Sequence, residues 1–291
     1  MVDLVPDVSV VIPTLNAERT LSVQLAALTR QRTARSFEII VADNGSTDAT
    51  ARVVADFADQ LPDLRIVDAS ARTGSNVARN IGTRAARAES VLLCDSDDEV
   101  AEDWLEALAS RLERADGVGG TLEMRRLNPQ YAAAAGQPAA VPGVALQLNF
   151  LTRPTGANAG YRRSVWEKLG GFDETYVRGG AETEFYWRLQ LGGYRMLDVP
   201  EAVVHYRLRG DVRSSLRQIY IWGRQHAMLY RDFREHGLRF RAAEPVRGWA
   251  KIASLASTIA WHRERRMDLG QRIAYRLGRV AGSYHYRVIF P

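Results

Sequence analysis

The chain reads as an α/β protein. It should hold a mostly parallel sheet covered by helices on both faces, followed by a helical carboxyl-terminal appendage. Three observations predict this. Short β-branched runs alternate with segments of helical apolar spacing through the first third of the chain. Each run ends in a polar or proline-containing turn, as buried parallel strands do. From Ser214 the helical spacing continues almost to the end, with breaks expected only near Gly237, Pro245 and Gly278.

Taken in order, residues 8–13 (VSVVIP) form a strand closed by proline. Asn16 is placed to cap a helix over 17–31, with Leu21, Leu25 and Leu28 on one face. Residues 37–42 are a second buried strand, and Asp43-Asn44-Gly45-Ser46 is the turn after it, where Ser46 or Thr47 can cap the next helix. A strand over 64–68, a helix over 75–88, a strand over 90–94 and a helix over 103–114 follow. The stretch 131–143, rich in Ala, Gly and Pro, reads either as a lid or as a tolerated surface insertion. Helices over 164–169 and 182–191 and a strand over 199–206 complete a domain of residues 1–210, with halves of about 1–115 and 116–210. Residues 211–291 form the appendage.

With 291 residues the chain can bury a sizeable core. Cys94 is the only cysteine, which excludes an intrachain disulfide and favours a reducing, cytoplasmic setting. No apolar run reaches the roughly 18–20 residues of a membrane span, and no signal-peptide pattern opens the chain. The net charge of +5 is uneven, with about 18 Arg and Lys against about 6 Asp and Glu from His205 onward. Such a tail suits phosphates or an anionic membrane surface, placing the protein at the inner face of the plasma membrane. Nucleic acid is disfavoured, because no recognition module accompanies the arginines.

In a sheet of this kind, ligands bind beyond the carboxyl ends of the strands. Pro13-Thr14, Asp43-Asn44 and Asp95-Ser96-Asp97-Asp98 therefore share one edge. Three like charges directly after a strand repel unless a cation offsets them, and Mg2+ or Mn2+ would leave positions for diphosphate oxygens. The same spacing equally permits helix capping by Asp98 or Asp103. Asp43 could bind a base or ribose, or close an Asx turn. Arg79 could reach a donor, or lie exposed on its helix. Glu182 and Glu184 suit the first turn of a helix, and Glu182 could also serve as a general base. His205 ends the last strand as a metal ligand, a phosphate contact or a structural residue.

The segments 8–16 and 38–48 resemble the opening of family 2 glycosyltransferases of the GT-A fold. Ala78-Arg79-Asn80-Ile81-Gly82, Asp95-Ser96-Asp97-Asp98, Thr155-Gly156-Ala157-Asn158 and Gly170-Gly171-Phe172-Asp173-Glu174 continue the likeness in the same order. The resemblance implies an inverting sugar transfer from a nucleotide-diphosphate sugar to an acceptor hydroxyl, with residues 1–210 as the catalytic domain, a nucleotide-binding half over about 1–115 and an acceptor-binding half over about 116–210. It assigns Pro13, Thr14, Asn16, Asp43, Asn44, Arg79, Asp95 and Ser96 to the donor, and Asp95, Asp97 and His205 to a Mn2+ or Mg2+ ion. Gly156, Ala157, Asn158, Trp166 and Glu184 fall on the acceptor side, and Glu182 is the base. The family usually has Glu-Asp where this chain has Ala181-Glu182, so the longer side chain requires a shifted acceptor.

Two other readings compete. A sugar nucleotidyltransferase would need a glycine-rich loop after the first strand, whereas Pro13-Thr14-Leu15-Asn16-Ala17 has no glycine. A non-catalytic sugar-nucleotide binder is made conceivable by Ala181. The acceptor is a small molecule, a glycan or a lipid-linked sugar. In the appendage Ile219, Trp222, Leu229 and Phe233 interleave with Arg217, Arg224, Arg231 and Arg234. That pattern fits packing on the catalytic domain, a membrane contact or a homodimer.

Overall fold

The structure is a computed structural model that describes residues 5–61, 63–129, 138–177, 179–208, 211–241, 243–258 and 266–290. Four strands, β1 (Val8–Thr14), β2 (Phe37–Asp43), β3 (Leu64–Asp68) and β4 (Ser90–Cys94), pair in parallel in the order β3-β2-β1-β4. Side chains alternate across the sheet. Val10, Ile12, Ile39 and Val41 enter one core with Leu21, Leu25, Leu28 and Trp104. Val11, Ile40, Val91 and Leu93 enter another with Trp166, Phe172 and Phe185. Burial on both faces is why β1, β2 and β4 are mostly apolar, with Ser9 and Glu38 as buried polar exceptions. Thr14 lies level with Asp43, and Asp43 with Asp68, so the strand ends share the expected edge.

Helices α1 (Leu21–Thr29), α2 (Thr50–Ala55) and α3 (Ser75–Ala85) connect these strands. Helix α1 starts later than the sequence predicts. Asn16 takes a left-handed φ of 53°, and its Oδ1 accepts the Thr47 N–H at 2.8 Å. It therefore ties two loops together instead of capping a helix. Ser46 is likewise no cap, because its hydroxyl accepts the Asn16 N–H, while Asp48 Oδ1 receives the N–H and hydroxyl of Thr50 at the start of α2.

The second half holds β5 (Glu99–Val100), α4 (Trp104–Leu112), β6 (Gly117–Glu123), β7 (Ala140–Val141), β8 (Val144–Gln147), β9 (Leu151–Pro154), β10 (Asn158–Arg162), α5 (Arg163–Lys168), α6 (Ala181–Leu191) and β11 (Met196–His205). The sheet continues β4-β10-β6-β11-β5, with β7 beside β6 and β8–β9 as a separate hairpin. Here the pairing is mixed, because β10 runs antiparallel to both neighbours while β6 and β11 are parallel. Of the stretch 131–143, residues 131–137 lie outside the described residues, and Ala140–Val141 is strand. Asp103 precedes α4 without a side-chain cap bond, and Asp98 is fully buried, so neither is a cap.

Residues 148–150, 178–180 and 209–291 form a compact unit of their own, and the rest of the chain up to Leu208 forms the other. Within the smaller unit α7 (Val212–Phe233) packs on α9 (Arg266–Tyr286) through glycines. A Cβ at Gly278 would sit 2.0 Å from the Tyr220 carbonyl oxygen, and one at Gly223 2.1 Å from that of Tyr275. Gly278 therefore permits a close helix crossing and does not break α9, contrary to the sequence expectation. Pro245 sits in the first turn of α8 (Ala243–Thr258), where proline is tolerated. Only Gly237, at φ 101°, ends a helical segment as expected.

Candidate active site

The site is built along the carboxyl edge of β1, β2 and β4. Asp43 Oδ1 accepts the Ser46 N–H at 2.9 Å, closing the turn and leaving the half-buried carboxylate at the edge. Pro13 beside it is half-buried. Thr14 is buried and donates its hydroxyl to the Ile12 carbonyl at 3.0 Å. Asn44, expected to contact a donor, is instead a strut. Its Nδ2 donates to the Ala69 and Arg72 carbonyls at 2.5 and 2.8 Å, and its Oδ1 accepts the Gly74 N–H at 2.8 Å. These bonds fix the loop that leads into α3, and so fix Arg79.

Asp95, Asp97 and Asp98 each offer a carboxylate oxygen, all within 4.8 Å of one another. Asp95, Ser96 and Asp97 are half-buried. Asp98 is fully buried; its Oδ1 accepts the Arg207 N–H at 2.7 Å, while its Oδ2 is buried without a hydrogen-bond partner. Burial, then the charges of Asp95 and Asp97, push its pKa well above the usual carboxylate range. An all-oxygen donor set with an orphaned buried acceptor is what a hard divalent cation fits. Arg207 also donates from Nε to the Asp97 carbonyl at 2.8 Å, so it braces the acidic loop twice. The sequence marked the three carboxylates of Asp95, Asp97 and Asp98 for a cation, with Asp98 also open to a capping role, but did not mark Arg207. The unbroken acidic run and the His205-Tyr206-Arg207 strand end were the available signals.

His205 is not a member of that cluster. Its Nδ1 faces Glu123 Oε2 at 2.9 Å, and it lies in register with Glu99 and Glu123. Burial opposes ionisation of Glu123, but His205 and the N–H groups of Arg125 and Arg126 outweigh it and hold the pKa low. Glu99 follows Asp98 directly, so this paired imidazole sits on the strand next to the acidic loop.

Arg79 is the pivot of the site. It is only 6% exposed. Its Nη2 stands 3.7 Å from Asp95 Oδ1, and its Nη1 3.9 Å from Glu182 Oε2 and 3.4 Å from Asn76 Oδ1. The Phe172 ring lies 6.0 Å from its Cζ. The guanidinium fits because residue 156 is glycine: a Cβ there would sit 2.4 Å from Nη2. One cation thus spans the end of β4 and the start of α6, joining the two carboxylates that the sequence singled out for different roles.

Several residues expected on the acceptor side instead support the site from within. Asn158 is fully buried; it accepts from Trp104 Nε1 and donates to the Thr121 and Ala202 carbonyls. Trp166 lies in the core and points Nε1 at Asn80 Oδ1, 3.3 Å away. Ala157 is buried. Glu184, raised in pKa by burial against the pull of Arg188, pairs with that arginine, which caps the Leu169 and Gly171 carbonyls. Buried polar groups need such partners, and these have found theirs inside the protein.

A parallel sheet with an acidic edge, an arginine bridge and a facing glutamate makes up the candidate active site, and comparison with known proteins gives its class as a glycosyltransferase. The family described as glycosyl transferase family 2 matches residues 9–170, over half of the chain, and the chain belongs to it. It is 28% identical to the glycosyltransferase AglE of Haloferax volcanii over 80% of each chain. To the succinoglycan biosynthesis protein ExoO of Rhizobium meliloti it is 33% identical over 44% of its length, spanning only 35% of that protein. Among solved structures it is similar to the mannosyltransferase PcManGT of Pyrobaculum calidifontis, in complex with GDP-Man and Mn2+. The TM-score is 0.66 at 21% identity, covering 97% of this chain and 88% of that one. Staphylococcus aureus TarS 1–349 in complex with UDP-GlcNAc aligns at a TM-score of 0.57 and 20% identity, over 98% and 93% of the two chains.

Proposed function

We propose that the protein transfers a sugar from a nucleotide-diphosphate donor to an acceptor hydroxyl, with inversion at the sugar carbon. The observation that carries this reading is Arg79, held between Asp95 and Glu182. It brings the diphosphate edge and the proposed base to one place. Asp43 and the Pro13-Thr14 loop receive the nucleoside. Arg79 binds the diphosphate that is released, and Gly156 leaves room for it. Asp95 and Asp97, with Asp98, would hold Mn2+ or Mg2+, with His205 on the adjoining strand. Such an ion neutralises charge on the departing diphosphate. Glu182 accepts the proton of the acceptor hydroxyl as the oxygen attacks opposite the leaving group, and a single displacement inverts the centre. The neighbours solved with GDP-Man and with UDP-GlcNAc support a nucleotide-sugar donor of this class.

The basic carboxyl-terminal region favours a lipid-linked acceptor at an anionic membrane surface, on the cytoplasmic side. No helix among the described residues is long and apolar enough to cross a membrane.

Replacing Glu182 by Gln keeps the size of the side chain and removes the base. Transfer should fall by about 10²–10⁴-fold while donor affinity stays within a few-fold. Product anomer analysis by NMR on the wild type should give inversion. Full transfer by Glu182→Gln removes this residue as base, and a retained anomer removes the single displacement.

A further inference from the structure

Over residues 211–291 there are 16 Arg and Lys against 6 Asp and Glu, a net of +10, whereas residues 1–210 come to −5. Of the apolar residues that the sequence pattern marked on α7, Leu229 and Phe233 are buried at 0% and 4% exposure, while Trp222 stays 41% exposed.

An open apolar face with cations beside it lies on α8. Val246 is 69% exposed and Trp249 40%. Ala250, Ala253 and Ala256 are exposed as well and repeat at three- and four-residue spacing, so the five share one side of the helix. One flank of that face is accounted for: Pro245 and Ile252 are buried, and Gly248 sits under the Arg276 guanidinium, where a Cβ would meet Nη2 at 2.0 Å. On the other flank Arg247 follows Ala250 around the helix and Lys251 lies further round, one turn from Arg247, both exposed. Glu244, the one acid of α8, points its carboxylate to Arg276 and Arg279 at 2.7 Å each. Among its described residues, therefore, the outward surface of α8 offers apolar groups, an indole, the hydroxyls of Ser254 and Ser257 and two cations, and its one carboxylate is held in ion pairs.

We infer that α8 is a membrane-docking helix that lies in the headgroup layer of an anionic lipid surface. Trp249 and Val246 enter the acyl boundary, and Arg247 and Lys251 rest on lipid phosphates. The charge selects this occupant over a second copy of the chain. Pairing two such faces would set Arg247 and Lys251 against their own kind, on a region already at +10. The inference rests on the membrane location proposed above and not on the transfer chemistry.

The test is sedimentation of the full chain with vesicles of phosphatidylglycerol and phosphatidylcholine in equal parts, and of phosphatidylcholine alone, at low and high salt. Donor hydrolysis and thermal melting are measured in parallel. The wild type should bind only the anionic vesicles, and less at high salt. Val246→Ser with Trp249→Ser should weaken binding by roughly tenfold or more, and Arg247→Gln with Lys251→Gln should weaken it and flatten its salt dependence. Melting and donor hydrolysis should not change, because these side chains are exposed. Unaltered binding by the serine variant overturns the assignment to α8 alone. Failure of the wild type to bind removes the membrane location with it, while donor hydrolysis reports separately on the enzyme. A concentration-dependent dimer in light scattering that the serine variant dissolves identifies a second copy as the occupant and also overturns the inference.

Discussion

Gly156→Ala isolates the geometry of Arg79 from its chemistry. The added methyl would lie 2.4 Å from Nη2 and 3.1 Å from Cζ, where ordinary contact begins near 3.4 Å. The guanidinium must therefore retreat by about 1 Å, a misplacement that can cost on the order of 10²-fold in rate. Stability should barely respond, because the displaced atoms are the far end of a flexible side chain and residue 156 has no left-handed φ. The assay is kcat/KM for donor and acceptor, alongside a thermal melt. The expected result is a loss of about 10²-fold with Tm shifted by no more than a few degrees. Wild-type kcat/KM in a folded Gly156→Ala protein would refute the argument that Arg79 must stand between Asp95 and Glu182.

Other predictions concern the frame. Glu38 is fully buried, and burial alone would raise its pKa. The Ser9 hydroxyl, the Arg87 N–H and the Arg65 and Arg87 guanidinia outweigh that and lower it. Glu38→Gln should cost about 2 kcal/mol at neutral pH, reduced from the usual buried-pair penalty because both arginines are partly solvated. Because the folded pKa lies below the unfolded one, this stabilisation is present above about pH 4.3 and fades as pH falls through the folded value. Urea melts should find the two proteins converging in acid, and a constant gap would remove Glu38 as the linked group. In the carboxyl-terminal unit Gly278→Ala should cost roughly 1–3 kcal/mol, since its Cβ meets the Tyr220 carbonyl oxygen at 2.0 Å. Gly270→Ala, which meets only the flexible Leu216 side chain at 3.3 Å, is the control. Equal melts for the two would contradict the close crossing of α7 and α9.

The sequence exposed the parts of the fold that depend on local pattern. β1, β2 and β4 are buried on both faces, so most of their residues are apolar, and the boundaries read from them hold to within a residue or two. β5, β7 and β10 escaped notice because they exist through pairing. β5 and β7 have two residues each, and β10 (Asn158–Arg162) contains Asn and Gly. The site was legible as an edge but not as a set of contacts. Asn44, Asn158 and Glu184 carry groups that a ligand could use, and only the structure reveals that backbone carbonyls, an N–H or Arg188 already hold them. Asp98 shows the converse. In sequence it fitted a cation cluster and a helix cap equally, and its burial beside two other carboxylates, with one oxygen lacking a partner, decides against the cap. The close crossing of α7 and α9 depends on Gly223 and Gly278, which lie some fifty residues apart, beyond the reach of any local pattern.

Calorimetric titration of nucleoside diphosphates into the full chain, with Mn2+ and with chelator, bears on the acidic cluster most directly. Binding that requires the metal, disappears in Asp97→Ala and survives in Glu182→Gln is the predicted outcome. Equal affinity in chelator, or full metal-dependent affinity in Asp97→Ala, would contradict the assignment of the Asp95–Asp98 loop.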